Sequence, residues 1–285
     1  MIISIASGKG GTGKTTVAVS LALSLKNVQL LDCDVEEPND ALFLNPRIRQ
    51  TQNAVIPVPE IDQEKCTNCG TCAEACAYNA LAVIPPKEGR AGTVMVFPQL
   101  CHGCGACSYL CPVQAIREVP KRVGVVESGD KGELGFVQGK LDVGEAMGPP
   151  VIRQVKALIN HEKTVILDAS PGTSCPMITA VQKSDFCILV TEPTPFGLHD
   201  LVLAVEALRK LQIPFGVIMN RSDLGNDRTE RYCEEQGIPI LMRIPFDKKI
   251  ARAYSQGNPV VQIFPEYKEK FQALFQTIKE IVNSK

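Results

Sequence analysis

Short apolar runs alternate with segments of helical periodicity over most of the chain, and the two patterns predict its secondary structure. The apolar runs predict buried strands at Ile2–Ala6, Val28–Asp32, Thr164–Asp168, Phe186–Thr191, Phe215–Asn220 and Ile240–Ile244. Apolar residues at helical spacing predict helices at Lys14–Leu25, Leu198–Leu211 and Arg228–Gln236. Strands that alternate with helices indicate the α/β fold class, with a doubly wound and mostly parallel sheet that binds ligands at the carboxyl ends of its strands.

One segment, between about Val58 and Val119, breaks this alternation and is rich in Cys, Ala, Gly and Pro. It contains an internal repeat, because the spacing C-x₂-C-x₂-C-x₃-C occurs twice, from Cys66 and again from Cys101. We expect residues 61–118 to form a small α+β domain inserted into a host domain made of residues 1–60 and 119–285. The Gly-rich residues 121–150 predict only short strands and a flexible turn.

Composition and charge narrow the class of protein. The chain has 285 residues, a net charge of −1, 45% hydrophobic and 21% charged residues, which favours a globular protein and argues against a nucleic-acid partner. No run of about 18 apolar residues occurs and no basic leader precedes the first strand, so we expect a cytoplasmic protein. The apolar stripe of residues 265–285 is typical of a helix packed on a core, and a membrane-binding tail is the alternative.

The first predicted strand leads into a glycine-rich loop and then a helix, with the spacing G-x-x-x-x-G-K-[ST]. Successive backbone N–H groups of such a loop turn inward around phosphate oxygens, and the helix N-terminus adds a partial positive charge. In this pattern Lys14 binds the β- and γ-phosphates and Thr15 binds Mg²⁺. The predicted nucleotide-binding residues of this segment are Gly8, Lys9, Gly10, Gly11, Thr12, Gly13, Lys14, Thr15 and Thr16.

The additional lysine, Lys9, gives the loop the form K-G-G-x-G-K-T. This loop resembles the deviant phosphate loop of the superfamily that includes MinD, ParA, Mrp and the nitrogenase iron protein. The resemblance implies a P-loop ATPase that binds ATP and Mg²⁺ and forms a homodimer in the ATP state. It also implies that Lys9 crosses the dimer interface to the nucleotide of the partner subunit, where a second cation would stabilise charge on the phosphoryl oxygens.

Further stretches fit the same superfamily. By resemblance, Asp34 orients the attacking water, which makes Lys9, Lys14 and Asp34 the candidate catalytic residues, and Asn39 matches the family pattern. Asp168 is implied to hold Mg²⁺ through water. Acids at strand ends are more often turn formers or helix caps, but two of them beside a phosphate loop favour the functional interpretation. The residues that resemble the adenine-binding segment are Asn220, Arg221 and Pro245.

Eight of the 12 Cys lie in the two repeats, which indicates a metal site. The repeats resemble bacterial ferredoxins with two [4Fe–4S] clusters, in which the fourth Cys of each run ligates the other cluster. The resemblance assigns Cys66, Cys69, Cys72 and Cys111 to one cluster, and Cys76, Cys101, Cys104 and Cys107 to the second. Zinc is the competing interpretation, but structural zinc sites use two Cys pairs separated by a longer spacer. Disulfides are disfavoured in the cytoplasm.

Four Cys lie outside the repeats. Cys33, Cys187 and Cys233 are expected to be small buried hydrophobes. Cys175 follows Asp168 by seven residues, in a loop that resembles a nucleotide-responsive switch, and in the nitrogenase iron protein a Cys at this offset helps to hold a cluster across the dimer axis. Two interpretations of Cys175 stay open, a thiol that binds or transfers a cluster at the subunit interface and a packed free thiol.

Three functions follow from this combination. The first is an ATP-dependent redox protein, in which a nucleotide-switched dimer gates electron transfer through two clusters to a protein partner. The second is an ATP-dependent iron–sulfur cluster carrier or assembly factor with an iron–sulfur protein as partner. The third is a positioning ATPase of the MinD or ParA type, for which a nearly neutral chain gives DNA little electrostatic attraction.

Overall fold

The computed structural model describes residues 1–88 and 90–284. Gly89, in the predicted inserted domain, and Lys285, at the end of the predicted host domain, lie outside the described residues. The strands are β1 (Ile2–Ala6), β2 (Val28–Cys33), β3 (Arg47–Ile61), β4 (Leu81–Ile84), β5 (Thr93–Val96), β6 (Ile116–Lys131), β7 (Leu134–Leu141), β8 (Thr164–Ala169), β9 (Phe186–Thr191), β10 (Phe215–Asn220) and β11 (Ile240–Ile244). The helices are α1 (Lys14–Ser24), α2 (Asp40–Leu44), α3 (Thr71–Glu74), α4 (Ala106–Tyr109), α5 (Pro149–Lys156), α6 (Cys175–Val181), α7 (Pro195–Lys210), α8 (Arg228–Glu235), α9 (Lys248–Ser255), α10 (Val260–Ile263) and α11 (Glu266–Asn283).

The main sheet has the strand order β11-β10-β9-β1-β8-β2-β7-β6-β3. Pairing is parallel from β11 to β7 and antiparallel on both sides of β6. The central strands are buried on both faces, since Val165 and Leu167 of β8 enter one core and Ile166 enters the other. Alternate residues of a strand point to opposite faces of the sheet, so helices cover both faces. The predicted doubly wound and mostly parallel α/β fold is confirmed.

The predicted strands are all present, and their ends differ from the prediction by one residue at most. Helix α7 begins three residues earlier than predicted. Thr194 caps it by accepting a hydrogen bond of 3.0 Å from the Gly197 N–H, and Pro195 occupies the first turn. Proline suits this position because the first N–H groups of a helix have no partner inside it.

The expectation of short strands within residues 121–150 was wrong. Strand β6 has 16 residues and β7 has 8, and a two-residue turn at Gly132 joins them. Strand β3, with 15 residues, pairs with β6 along almost its whole length and was not predicted. The first seven residues of β3 are exposed, so the apolar pattern that identifies buried strands is missing there.

Residues 62–115 lie between β3 and β6 and contain two short helices, α3 and α4, and the antiparallel pair of β4 and β5. Their small core includes Cys72, Leu81 and Val94. The β3–β6 ladder continues to the pair Ile61 and Ile116, so one antiparallel ribbon joins these residues to the main sheet. The predicted domain boundaries fall inside this ribbon, and the division into two domains stays a prediction.

Helix α11 is amphipathic, and its apolar face is packed on the core as expected. Its buried residues are Tyr267, Phe271, Leu274 and Ile278. They lie against α1 in one of the two cores that flank the sheet. Among the described residues, no helix combines the length and apolar composition needed to cross a membrane.

Candidate functional site

The loop between β1 and α1 lies at the carboxyl edge of the sheet and is shaped by its glycines. Gly11 and Gly13 have φ angles of 76° and 99°, in the left-handed region that favours glycine. A Cβ at Gly8 would stand 2.1 Å from the carbonyl oxygen of Asp200 in α7. The loop therefore packs against α7 at a distance that only glycine allows, and it delivers Lys14 as the first residue of α1.

Several polar side chains converge where this loop meets β8. Lys14 is buried, with 7% of its surface exposed. Thr15 Oγ1 donates a hydrogen bond of 2.8 Å to Asp168 Oδ2 at the end of β8. Within residues 1–88 and 90–284, neither Thr12 Oγ1 nor Asp168 Oδ1 has a hydrogen-bond partner, although both atoms are buried. Buried polar atoms of this kind are costly unless a ligand satisfies them, which fits a site for phosphate and a divalent cation.

Carboxylates surround this position, and one of them organises the loop after β2. The buried carboxylate of Asp32 accepts hydrogen bonds from the backbone N–H groups of Asp34, Asn39 and Asp40 at 3.0, 3.0 and 3.1 Å. The sequence did not predict this role, because the resemblance assigned a function only to Asp34 of the stretch Asp32-Cys33-Asp34. Sequence reasoning also missed Asp40, a fully buried acid of α2 that resembles an ordinary helix-start residue in the sequence.

Burial sets the protonation of these acids. Desolvation raises the pKa of Asp168 to about 6 against the opposing effects of Lys14 and the Thr15 hydrogen bond. Desolvation likewise raises the pKa of Asp34 to about 6, with Lys14 opposing the shift. The pKa of Asp32 is raised by burial and then by the charge of Asp168. A group of carboxylates with raised pKa values around one lysine is typical of a functional site.

A cavity of about 310 Å³ opens beside the phosphate loop. It brings together Asn220, Arg221 and Pro245 with Gly11, Gly13 and Thr16 of the predicted nucleotide site. Asn220 Nδ2 donates a hydrogen bond of 2.8 Å to the carbonyl oxygen of Thr12, so β10 also supports the loop. The aromatic residues that line the cavity were missed by sequence reasoning, because they follow the motifs at irregular intervals. They are Phe246, Tyr254, Tyr267 and Phe271.

The eight Cys of the repeats stand around two separate cavities. One is lined by Cys66, Cys69, Cys72 and Cys111. The other is lined by Cys76, Cys101, Cys104 and Cys107. The fold thus brings together the two sets that were assigned by resemblance, with Cys76 and Cys111 exchanged between the repeats. In the described part of the chain, no group of three or more Cys, His, Asp or Glu side chains is arranged so that it could hold a single metal ion.

Backbone N–H groups approach the sulfurs in a pattern that repeats in the two halves. The Sγ atom of the first Cys in each run accepts a hydrogen bond from the backbone N–H of the residue two positions later. The N–Sγ distance is 3.5 Å for Cys66 and 3.4 Å for Cys101. The Sγ atom of the fourth Cys accepts a hydrogen bond from the backbone N–H of the residue four positions later, at 3.2 Å for both Cys76 and Cys111. Donors placed in this way stabilise thiolates and the clusters that thiolates hold.

The exposure of the thiols varies within each set. Cys69 and Cys104 are exposed, whereas Cys72 and Cys101 are buried. Hydrogen bonds from Thr71 lower the pKa of Cys69, and burial raises the pKa of Cys72. One edge of each cavity is therefore open to solvent and could be reached by another protein.

The remaining Cys divide as the sequence predicts. Cys33, Cys187 and Cys233 are buried, and burial raises the pKa of Cys187 to about 12 and that of Cys233 to about 11. Cys175 is exposed at the start of α6, after the loop that follows Asp168. Cys175 is therefore not packed inside the chain, and its role at the subunit interface stays a prediction.

The β3–β6–β7 ribbon connects the carboxylates to the Cys-containing segment. The carbonyl of Val35, next to Asp34, accepts a hydrogen bond of 2.8 Å from the N–H of Leu141 at the end of β7. Lys121 of β6 lies 2.8 Å from Glu145 Oε1 and 3.4 Å from the carbonyl oxygen of Pro98, just before Cys101. The loop after β2 and the second cavity are therefore both in contact with the same ribbon.

Comparison with known proteins agrees with this fold and site. The sequence pattern of the CobQ/CobB/MinD/ParA nucleotide-binding domain matches residues 3–260. A glycine-rich phosphate loop on a doubly wound sheet defines a P-loop nucleotide-binding protein. The chain belongs to the CobQ/CobB/MinD/ParA family.

Individual proteins that the chain resembles share less than a third of its residues. The chain is 29% identical over 291 residues to an uncharacterized protein of Methanocaldococcus jannaschii, with 99% of this chain and 98% of that protein covered. It is 27% identical over 311 residues to an iron–sulfur cluster carrier protein of Pyrococcus horikoshii, with 98% and 87% covered. A solved structure with a similar fold is the septum site-determining protein MinD of Pyrococcus horikoshii, complexed with Mg-ADP. Its TM-score is 0.56 at 21% sequence identity, with 98% of this chain and 95% of that chain covered.

Proposed function

We propose that this chain is an ATP-dependent iron–sulfur cluster carrier or assembly factor, which holds clusters at the eight Cys of its repeats and releases them to an acceptor protein. The observation that carries the proposal is the grouping of these Cys around two partly open cavities, in a segment that one β-ribbon joins to the sheet that also carries the phosphate loop. The naming of relatives such as the Pyrococcus horikoshii protein as iron–sulfur cluster carriers supports the same function.

On the nucleotide side, Lys14 binds the β- and γ-phosphates of ATP and Thr15 binds Mg²⁺ directly. Asp168 holds Mg²⁺ through water, and Asp34 orients the water that attacks the γ-phosphate. The adenine lies in the cavity beside Asn220, which already supports the phosphate loop. Binding of ATP closes a homodimer, and hydrolysis opens it again.

On the cluster side, thiolates and backbone N–H donors suit a [4Fe–4S] cargo. The first set of four Cys holds one cluster and the second set holds the other. The exposed thiols Cys69 and Cys104 lie at the open edges, where an acceptor thiolate can replace a Cys ligand during transfer. Closure of the ATP dimer moves the loop after β2, and the ribbon passes this movement on to the cavities.

Gated electron transfer is the second candidate. It is favoured by the exchange of Cys76 and Cys111 between the two sets, because this arrangement is the one that two-cluster ferredoxins use for clusters that stay bound. The two functions use the same sites but differ in whether iron leaves the protein.

Transfer to an acceptor separates the two functions. The protein is purified anaerobically with its clusters, mixed with an apo-ferredoxin, and the cluster absorbance of the acceptor is followed with and without Mg-ATP. Transfer that depends on ATP in the wild type and is lost in Lys14→Ala supports the carrier. Reversible reduction by dithionite, with all iron retained in the presence of Mg-ATP, supports electron transfer and contradicts the carrier.

The homodimer is tested separately through Lys9. Lys9→Ala is expected to stay monomeric with ATP in sedimentation velocity and to lose most of its ATP hydrolysis, because the partner subunit's nucleotide loses a cation. Hydrolysis by Lys9→Ala at the wild-type rate would contradict the role of Lys9 across the interface.

A further inference from the structure

One buried carboxylate is shared by two cations of the proposed nucleotide site. Glu192 follows β9 directly, and only 8% of its side chain is exposed. Its Oε2 lies 3.5 Å from Lys9 Nζ in the phosphate loop, and its Oε1 lies 2.7 Å from Arg221 Nη1 after β10. Neither the sequence motifs nor the proposed mechanism assigns a role to Glu192.

The backbone around Glu192 is held closely on both sides. A Cβ at Gly197 would stand 2.3 Å from the Glu192 carbonyl oxygen, and a Cβ at Gly225 would stand 1.8 Å from that of Pro193. Thr191 Oγ1 also donates a hydrogen bond of 3.1 Å to the Gly197 carbonyl. The strand end that carries Glu192 is therefore fixed, whereas its two partners are partly exposed, with 31% of Lys9 and 47% of Arg221 accessible.

The contact to Glu192 conflicts with the role proposed for Lys9. Both contacts use the one ammonium group of Lys9, so Glu192 of its own subunit competes for this group with the phosphate of the partner subunit. Arg221 holds the same carboxylate at the shorter distance of 2.7 Å. When Lys9 leaves, the buried Glu192 therefore keeps one cation at ion-pair distance, although its Oε1 has no hydrogen-bond partner among the described residues, and part of the large cost of an unpaired buried charge is avoided.

We propose that Glu192 is a positioning residue that retains Lys9 in its own subunit until ATP closes the homodimer, while Arg221 keeps the carboxylate neutralised after Lys9 is released. The inference rests on the proposed ATP-dependent dimer. The contact between Lys9 and Glu192 is long at 3.5 Å and the lysine is 31% exposed, so it is a weak contact, worth a change of up to about fivefold in an equilibrium. Such a contact delays dimer formation at low ATP without preventing it.

Glu192→Gln keeps the size of the side chain and removes the charge that attracts Lys9. We expect half-maximal dimer formation, measured by sedimentation velocity during an ATP titration, at an ATP concentration about two- to fivefold lower than in the wild type. Turnover at saturating ATP is expected to stay within about twofold, because Lys9 acts at full strength once it is released. The matched control is Glu206→Gln, which removes one charge from the exposed face of α7, and it should behave as the wild type.

A second measurement does not depend on the dimer. In nucleotide-free protein, an amine-reactive acetylating reagent followed by peptide mass spectrometry should modify Lys9 about two- to fivefold faster in Glu192→Gln than in the wild type. Exposed Lys26 serves as the internal reference. If Glu192→Gln does not fold, Glu192→Asp, which keeps the charge and withdraws it from Lys9, is expected to give faster modification too.

The possible failures are distinguishable. A wild-type protein that stays monomeric at saturating Mg-ATP contradicts the proposed dimer, and unchanged Lys9 modification then contradicts the role of Glu192 separately. A wild type that dimerises, beside a Glu192→Gln variant that needs the same or more ATP, overturns the inference alone. A lower ATP requirement together with faster Lys9 modification supports it.

Discussion

The hydroxyl of Thr15, in the first turn of α1, donates a hydrogen bond of 2.8 Å to Oδ2 of Asp168 at the end of β8. The two residues are 153 positions apart in the chain and meet because parallel strands deliver their carboxyl ends to one edge of the sheet. The other oxygen, Oδ1, is buried with no partner among the described residues. This hydroxyl–carboxylate pair is what the proposed Mg²⁺ site would use.

The first prediction concerns this pair. Asp168→Asn keeps the shape of the side chain but removes the negative charge, and we expect it to lower Mg²⁺-dependent ATP hydrolysis by at least about 100-fold. Thr15→Ala should lower it as well, whereas Thr15→Ser, which keeps the hydroxyl, should stay within about tenfold of the wild type. Initial rates over a Mg²⁺ titration measure this. Hydrolysis by Asp168→Asn near the wild-type rate would exclude Asp168 from the magnesium site.

The second prediction concerns stability and pH at Asp34. Its pKa is raised from 3.8 to about 6, first by desolvation, so the folded protein binds this proton more tightly than the unfolded chain does. The contribution of Asp34 to the free energy of unfolding is therefore most favourable below pH about 4 and is lost as the pH rises through about 6. Asp34→Asn should raise the stability of the nucleotide-free protein at pH 7.5 by about 1–2 kcal/mol, after discounting for the partial exposure of the side chain.

Thermal unfolding at several pH values between 5 and 8 measures this difference. The gap between Asp34→Asn and the wild type should widen as the pH rises from 5 to 7, and Glu206→Gln, which removes an exposed charge from α7, is measured beside it as the control. The same Asp34→Asn variant should hydrolyse ATP more slowly, a gain in stability at the expense of activity. A gap that does not depend on pH would mean that Asp34 titrates as it does in the unfolded chain.

The parts of the fold that the sequence predicts are those where burial leaves a pattern. Strands such as β8 and β9 are buried on both faces and are continuous apolar runs. Strand β3 has no such run, because its first half is exposed and is held by backbone pairing with β6. Its existence depends on a partner strand far away in the sequence, which no local pattern contains.

The same limit applies to the candidate site. The phosphate loop and the Cys repeats are local motifs, so their residues could be proposed from spacing and resemblance. In the sequence, Glu192 is one polar residue after an apolar strand, as in an ordinary turn. Its importance arises only because Lys9 and Arg221, which follow two other strands, lie beside it in the fold. Charges that meet across strands depend on the order of the strands in the sheet.

The third prediction tests the close approach of the phosphate loop to α7. Gly8→Ala places a Cβ 2.1 Å from the Asp200 carbonyl oxygen, and backbone atoms cannot move aside as a flexible side chain does. We expect a loss of about 1–3 kcal/mol in the free energy of unfolding. Gly10→Ala is the matched control, because a Cβ there would have nothing within 4 Å. Chemical denaturation without nucleotide measures both, and equal stability of the two variants would contradict the packing of the loop on α7.

The fourth prediction tests the exchange of Cys between the two repeats. The cavities pair Cys69 with Cys111 and Cys104 with Cys76. Because a cluster that loses one thiolate is destabilised, Cys111→Ser should remove about four iron atoms per chain, and so should Cys69→Ser. The double variant of Cys69 and Cys111 should lose no more iron than either single variant, since both act on one cluster.

The matched comparison is the double variant Cys69→Ser with Cys76→Ser. These two Cys lie in the same repeat but line different cavities, so the double variant should lose about eight iron atoms per chain and retain none. Iron and acid-labile sulfide are measured after anaerobic purification, with circular dichroism to show that the chain stays folded. If the double variant within one repeat lost only one cluster and the variant of Cys69 with Cys111 lost both, each repeat would hold its own cluster and the crossed assignment would be wrong.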